Sequence, residues 1–298
     1  MLKASARKFF DDKFPTSKLH TLVAGDHRPE RDNTCHWDSA LWREMVDLGW
    51  TMLAVPESAG GVGMPAVAVA GLAEELGRAA FPCPLLGTIN ATWVLNACGA
   101  GAEKALGEIV AGQSATLAIT NQAGSWSPGD TDVSCEQGKL SGTAWYVQDA
   151  RKAQRLLVSA RTASGLGLYW VAADAPGVVI HADTIVDLTR DQAHVSFDGV
   201  AAEELTSNGL AALAQAMPAI WTVLAADMVG AAEWQLQTTV EYVGTRQQFD
   251  RPLGFFQAVK HPLVNVMLQI DQAKSLVYNA ACAIDCEPDK ALQFAHMA

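Results

Sequence analysis

The stretch that decides the fold runs from Tyr242 to Lys274, YVGTRQQFDRPLGFFQAVKHPLVNVMLQIDQAK. Its first residues end a long helix. Its middle, Phe249-Asp250-Arg251-Pro252-Leu253-Gly254, breaks that helix, because Pro252 and Gly254 sit poorly inside one. From Phe256 a second helix starts, with Val259, Leu263, Val266, Ile270 and Val277 at the 3- and 4-residue spacing of one face. The pattern predicts a hairpin between two helices. The hairpin carries unusual chemistry: Arg246 and Arg251 flank Phe249, and Phe255, Phe256 and Gln257 follow. Fixed charge, aromatic faces and an amide donor at a helix start suit an anionic, aromatic cofactor.

Composition limits the rest. A chain of 298 residues points to about two domains, with one or three open. Half the residues are apolar and 18% are charged, so a large core is expected and disorder is not. A net charge of −11 argues against nucleic-acid partners and anionic membrane surfaces. The cysteines at 35, 83, 98, 135, 282 and 286 show no CxxC spacing and are expected to be free thiols in a reducing compartment. No metal site is expected. The N-terminus lacks the apolar core of a signal peptide, and no run approaches the roughly 18 apolar residues of a membrane span. A cytoplasmic protein is expected.

Outward from the hairpin, residues 1–113 read as helical. Phe9 and Phe10 lie on a short first helix, and His20 to Cys35 reads as loop. Asp38 caps a helix with Leu41, Trp42, Met45 and Leu48 inward, stopped at Gly49. The glycine-rich run Ala54 to Met64 has no Lys-Ser/Thr after it and no strand before it, so it reads as a turn rather than a phosphate loop. Pro65 opens the next helix, with Val69, Leu72 and Leu76 inward and Glu74, Glu75 and Arg78 on a solvated face. Residues 85–98 and 102–111 give further helices. Residues 114–207 change to β-prone runs at 115–120, 133–136, 140–147, 156–160, 168–172, 178–182 and 193–197, with a hairpin turn at Gln137-Gly138-Lys139. From about 208 helix returns, with Pro218 opening a long helix. The expected fold is α+β: an N-terminal all-α domain (1–113), a middle antiparallel β-barrel-like domain with no parallel pairing (114–207), and an incomplete C-terminal α-helical bundle (208–298).

The run Arg-x-Gln-Phe-x-Arg-Pro-Leu-Gly-x-Phe-Gln-Ala-Val-x-His, beginning at Arg246, resembles the signature of acyl-CoA dehydrogenases. The α, β, α order and the Pro-Glu-x-x-Gly-Gly-x-Gly turn from Pro56 match that family too, over nearly the whole chain. One departure is Asp250, where the family usually has Gly. The resemblance implies α,β-dehydrogenation of an acyl-CoA thioester with FAD as hydride acceptor: a carboxylate removes the α proton and a hydride leaves Cβ.

The resemblance also implies site residues. The family's Thr-Glu-Pro-x-x-Gly-Ser segment corresponds to Thr120-Asn121-Gln122-Ala123-Gly124-Ser125, which keeps Thr120 and Ser125. Its Trp-Ile-Thr segment corresponds to Tyr146-Val147-Gln148, where Tyr146 can stack and Gln148 can hydrogen-bond. The hairpin adds Arg246, Gln248, Phe249, Phe256 and Gln257, which in the family reach a flavin held mainly by the neighbouring subunit, so an oligomer (dimer or tetramer, homo- or heteromeric) is implied. Of the family's two positions for the catalytic base, one falls past residue 298 and the other, Met217 to Thr222, holds no acid; Asp227 is the weak remaining candidate. Val186-Asp187-Leu188-Thr189-Arg190 and the run from Ala193 to Val200 resemble the actinobacterial dehydrogenases of steroid (cholesterol) side-chain breakdown, which commonly form α2β2 heterotetramers with one reduced subunit type. Implied partners are an acyl-CoA substrate and an electron-transfer flavoprotein or similar acceptor. Two rivals stay open: a non-catalytic partner subunit, and a flavin monooxygenase-like relative.

Overall fold

The computed structural model describes residues 1–24, 35, 37–125 and 127–298. Six helices come first: α1 (Leu2–Lys13), α2 (Thr16–Ala24), α3 (Ser39–Asp47), α4 (Ala66–Ala79), α5 (Leu85–Cys98) and α6 (Glu103–Val110). Eight strands follow: β1 (Ala115–Ala118), β2 (Val133–Glu136), β3 (Lys139–Gln148), β4 (Arg155–Thr162), β5 (Gly165–Ala172), β6 (Val178–Ala182), β7 (Gln192–Ala201) and β8 (Glu203–Thr206). The chain ends with α7 (Gly209–Thr245), the short strands β9 (Gln247–Gln248) and β10 (Arg251–Pro252), α8 (Gln257–Cys286) and α9 (Pro288–Met297). Two compact units result. One gathers Met1–Thr16, Pro65–Ala80 and Trp221–Ala298; the other gathers Ser17–Met64 and Phe81–Ile220.

In the second unit, Asp38 caps α3 by accepting from the Ala40 and Leu41 amides, and Leu41, Trp42 and Met45 are buried. Leu48 departs from the sequence reading and is exposed. Part of the expected loop from His20 is helix, because α2 runs to Ala24; residues 25–34 lie outside the described residues. The main sheet runs β6-β7-β3-β2-β4-β5-β8, with β1 paired to β4. Its core is built from Val133, Leu140, Leu156, Val158, Val195 and Phe197 with their neighbours.

The expected all-antiparallel sheet needs correction, because this sheet is mixed. β1 pairs with β4 in parallel, from Ala115 opposite Arg155 to Ala118 opposite Val158. β2 also meets β4 in parallel, at Ser134 and Arg161. The physical reason is that β1 and β2 share one slot between β3 and β4. The chain leaves the sheet after Thr120 and returns at β2 running in the same direction as β1. Apolar alternation reports which face a residue takes, not which way its strand runs.

In the first unit, α4 crosses α7 at two glycines. A Cβ on Gly77 would lie 1.9 Å from the Asp227 carbonyl oxygen, and one on Gly230 would lie 1.8 Å from that of Glu74. Only glycine permits backbones this close. Glu74 and Glu75, expected on a solvated face, are 2% and 1% exposed. Arg7 grips Glu75 with two hydrogen bonds, at 2.9 and 2.8 Å. Glu74 takes Lys3 at 2.6 Å, Lys274 at 2.8 Å and the Tyr278 hydroxyl at 2.6 Å. Lys274 also reaches Glu233 at 2.9 Å. The acids are buried because α1 and α8 both deliver cations onto α4, an arrangement that 3.6-residue periodicity within α4 does not report. Burial pushes the Glu74 carboxyl up, but hydrogen bonds from Lys274, Lys3 and Tyr278 outweigh it and hold the group down at about 2.

The long helix begins at Gly209 rather than at Pro218, which lies inside it. α7 is also the one described helix long and apolar enough to cross a membrane, with mean hydropathy 1.5, although no such run was expected. Two thirds of that window (67%) is buried in the protein, as in a core helix.

Candidate functional site

The split strand presents the first group of candidate residues. Thr120 continues β1 and bridges to Trp145 of β3, its carbonyl accepting from the Trp145 amide at 2.9 Å. Beyond it the chain turns sharply on Asn121. The Asn121 carbonyl takes the Gly124 amide at 3.0 Å, and its side-chain oxygen takes the Ser125 amide at 2.9 Å. The Gln122 amide is tied to Asp132 at 2.8 Å. Ser125 donates its hydroxyl to Asp130 at 2.5 Å and accepts from the Ser127 amide, so its donor is already engaged.

Tyr146 reaches this turn through a β-bulge. Ala144 is opposite Val195 and Val147 is opposite Ala193, so β3 carries one residue more than β7 across that interval. Ala144 and Val147 are both buried, and the two residues between them therefore both turn outward. Tyr146 takes φ 54°, is 47% exposed, and donates its hydroxyl to the Gln122 carbonyl at 3.0 Å. Strict alternation would have placed Tyr146 inside. Gln148 sits at the end of β3, half-buried, with its carbonyl accepting from the Thr116 hydroxyl at 2.6 Å. The structure thus brings Thr120, Ser125 and Tyr146 to one turn, with Gln148 two residues further along β3.

A feature that sequence reasoning missed lies beside them. Trp145 stacks on His194 with ring centroids 5.0 Å apart, and His194 stacks on His181 at 4.8 Å. His194 Nδ1 is 2.8 Å from Asp183 Oδ1. The signal was present in outward positions on three strands, but strand order was needed to align them.

The second group occupies the hairpin after α7. β9 and β10 pair in antiparallel register, Gln248 with Arg251 and Gln247 with Pro252. Phe249 and Asp250 form the two-residue turn between them, at φ 53° and 57°. Both central residues at positive φ is the type I′ geometry, which favours Asn or Gly and is strained for Phe. The turn at Gln137 and Gly138, at φ 50° and 75°, has the same signs. Phe249 is 87% exposed, and it meets the Phe256 ring edge-to-face at 6.1 Å. Phe255 packs on Phe256 at 5.7 Å, and the Arg251 guanidinium lies 5.2 Å from the Phe255 ring. Arg246 accepts the Leu253 amide on its carbonyl at 2.8 Å, which closes the base of the hairpin. Arg246, Gln248 and Gln257 are exposed. The strained turn thus carries an exposed aromatic beside exposed donors rather than burying them in the core.

Asp227 is buried at the Gly77 contact of α4 and α7. Of the apolar residues on α8, Ile270 is buried, Val259 and Leu263 are half-buried, and Val266 is exposed.

Family models for the acyl-CoA dehydrogenase N-terminal domain and C-terminal domain match residues 1–113 and 208–298. The chain belongs to the acyl-CoA dehydrogenase family. It is 32% identical over 249 residues to the acyl-CoA dehydrogenase IpdE2 of Mycobacterium tuberculosis, covering 83% of this chain and 66% of that protein. Its fold matches a variant of the Tcur3481-Tcur3483 steroid ACAD with a TM-score of 0.83 and 31% identity, over 99% of this chain and 80% of that one. The ChsE4-ChsE5 complex from Mycobacterium tuberculosis gives 0.82 and 26%, also over 99% and 80%. FAD is the cofactor of this family. Both groups have the chemistry for it: in the hairpin, Arg246, Gln248 and Gln257 offer N–H groups to an anionic or carbonyl-rich ligand and Phe249 and Phe256 offer ring faces, and on the sheet Tyr146 offers a ring face of its own.

Proposed function

We propose that this chain is an FAD-dependent acyl-CoA dehydrogenase subunit that takes part in α,β-dehydrogenation of a CoA thioester, with a steroid side chain as the favoured acyl class. The observation that carries the reading is the bulge that turns Tyr146 out against the Thr120–Ser125 turn, which assembles two family segments on one surface. The steroid class is supported by the likeness to the steroid ACAD above. When bound, FAD supplies the hydride acceptor. Arg246 would bind and orient the anionic part of a flavin held mainly by a neighbouring subunit, with Gln248 and Gln257 as further donors. Phe249 and Phe256 exclude water from it. Tyr146 supplies an aromatic face and Gln148 an amide, while Thr120 and Ser125 line the turn. An electron-transfer flavoprotein or similar acceptor would serve as the electron acceptor.

A second reading is favoured by the position of Asp227. Asp227 is buried and its backbone carbonyl meets Gly77 where α4 crosses α7, and a buried carboxylate on a packed helix is poorly placed to take a substrate proton. We therefore assign Asp227 to that contact and the base to a second chain, so that this subunit builds part of a shared site. The test is spectral. The purified chain alone should show little bleaching of flavin absorbance on anaerobic addition of an acyl-CoA, and co-expression with a complete family member should restore it. Without a positioned base the rate should fall about 10²–10⁴-fold. Robust bleaching by this chain alone would sink the second reading, and a colourless assembly with no response to any acyl-CoA would sink the first.

A further inference from the structure

We propose that Cys282 and Cys286, on the last turn of α8, form a dithiol modification site, in which exchange with a low-molecular-weight disulfide joins the two sulfurs and releases Asp285 from the N-terminus of α4.

Three observations support it. The two thiols are exposed and their sulfurs are 4.0 Å apart. Positions i and i+4 of a helix have Cα atoms about 6.2 Å apart, from the helical rise and radius, inside the roughly 4.4–6.8 Å span that a disulfide bridges. Their Cβ atoms start about 5–6 Å apart and must close to about 3.8 Å, so the turn between them has to tighten. It can, because Cys286 is the final residue of α8 and the chain departs at Glu287 with φ −139° and ψ 61°.

Asp285 lies inside that turn. Its Oδ2 accepts the Ala66 amide at 2.8 Å. Ala66 is the first residue of α4, and Pro65 before it supplies no side-chain cap. The cap on α4 therefore comes from 219 residues away, and from the segment that the new bond would reshape. Lys274 and Tyr278, earlier on α8, hold Glu74 of the same helix, so α8 would keep its central grip on α4 while losing the end one.

The chemistry balances without further reagents. The Cys282 thiolate attacks one sulfur of the small disulfide, forming a mixed disulfide and expelling one small thiolate. The Cys286 thiolate then attacks Cys282 Sγ, the Sγ–Sγ bond forms, and the second small thiolate leaves. Two protein thiols are oxidised by two electrons, one disulfide is reduced, and the two thiol protons end on the two released thiols. Cys286 is the thiol that waits, since the neighbouring Cys282 sulfur, Asp285 and Glu287 raise its pKa. Cys83 is an internal control: burial pushes its thiol up to about 12, and it should not react.

Trypsin would release both cysteines in one peptide, Ser275 to Lys290, which contains no other cysteine. After incubation of the whole chain with oxidised glutathione and alkylation of the remaining thiols, this peptide should be two hydrogens lighter than its reduced form and unalkylated. Cys286→Ser should leave a single glutathione adduct on Cys282 instead. In the oxidised protein the Ala66 amide should exchange with solvent on the order of fivefold faster, the scale of a lost helix cap. Asp285→Ala should reproduce that faster exchange without oxidation. A peptide carrying two glutathiones, or two alkylated thiols, would overturn the modification site. A disulfide that forms while exchange at Ala66 stays unchanged would overturn the coupling to α4.

Discussion

The two ends of the α7–α8 pair are held in different ways. At one end, Gly77, Gly230 and the Glu74–Glu75 cluster bind α4 to α1, α7 and α8 through buried contacts. At the other end, the hairpin from Arg246 to Gln257 holds its charged and aromatic groups out to solvent around a turn with two left-handed residues. The first region has its polar groups satisfied internally. The second leaves most of them open to solvent, with Gln248 donating only to the neighbouring Gln247 carbonyl, and carries backbone strain. Charges committed to packing and charges left to solvent are therefore told apart here by their partners and not by their residue types.

The largest effect should come from breaking the committed end. Glu74→Ala removes the anion that Lys3, Lys274 and Tyr278 share, leaving partly buried cations, and should cost about 3–5 kcal/mol in urea unfolding. A loss below about 1 kcal/mol would mean the cluster is solvated in practice. The pH dependence has a defined sign. The folded-state value of Glu74 is depressed to about 2, so its contribution is present above the ordinary carboxylate range and is lost as pH falls through about 2. Glu74→Gln should flatten the acid limb of the stability curve below about pH 4.5 and leave its shape above that unchanged.

Gly230→Ala comes next. A methyl group cannot stand 1.8 Å from the Glu74 carbonyl oxygen, so α4 and α7 must part, at about 3 kcal/mol. A change in thermal midpoint within error of the wild type would show that the two helices can slide without loss.

Arg246→Ala probes the solvent-facing end. Folding stability should hardly change, because the side chain is exposed, while flavin retained by the assembled oligomer should fall about tenfold or more, or about 1.5–3 kcal/mol for a charged hydrogen bond. Equal flavin content per assembly would remove Arg246 from the site. The smallest effect is the reverse of a loss. Asp250 stands at φ 57° where the family signature has Gly, and Asp250→Gly should raise stability by about 0.5–1 kcal/mol through relief of left-handed strain. It should also tighten flavin retention by removing an acid from a site for an anion. Weaker retention in that variant would instead give Asp250 a positive role at the turn.

The amino-acid sequence by itself determined the element order and the family. The long fixed-spacing run from Arg246, the helical periodicity around Val69, Leu72 and Leu76, and seven of the eight strands of the main sheet were all local in origin, and local patterns survive folding intact. The break at Phe249–Gly254 was legible from Pro252 and Gly254, although its strand-paired, left-handed form was not. Tertiary structure decided what depends on partners distant in sequence. Glu74 and Glu75 read as a solvated pair until Arg7 arrived from 68 residues before Glu75, with Lys3 from the same helix and Lys274 from α8, far along the chain. The resemblance assigned Tyr146 a stacking role, but strand alternation alone would have put it inside; the extra residue in β3 turned it outward. The parallel pairing of β1 with β4 followed from an excursion of the chain whose return direction no residue in it encodes. Spacing along the chain fixes which residues share a face, and only the assembled fold fixes what that face meets.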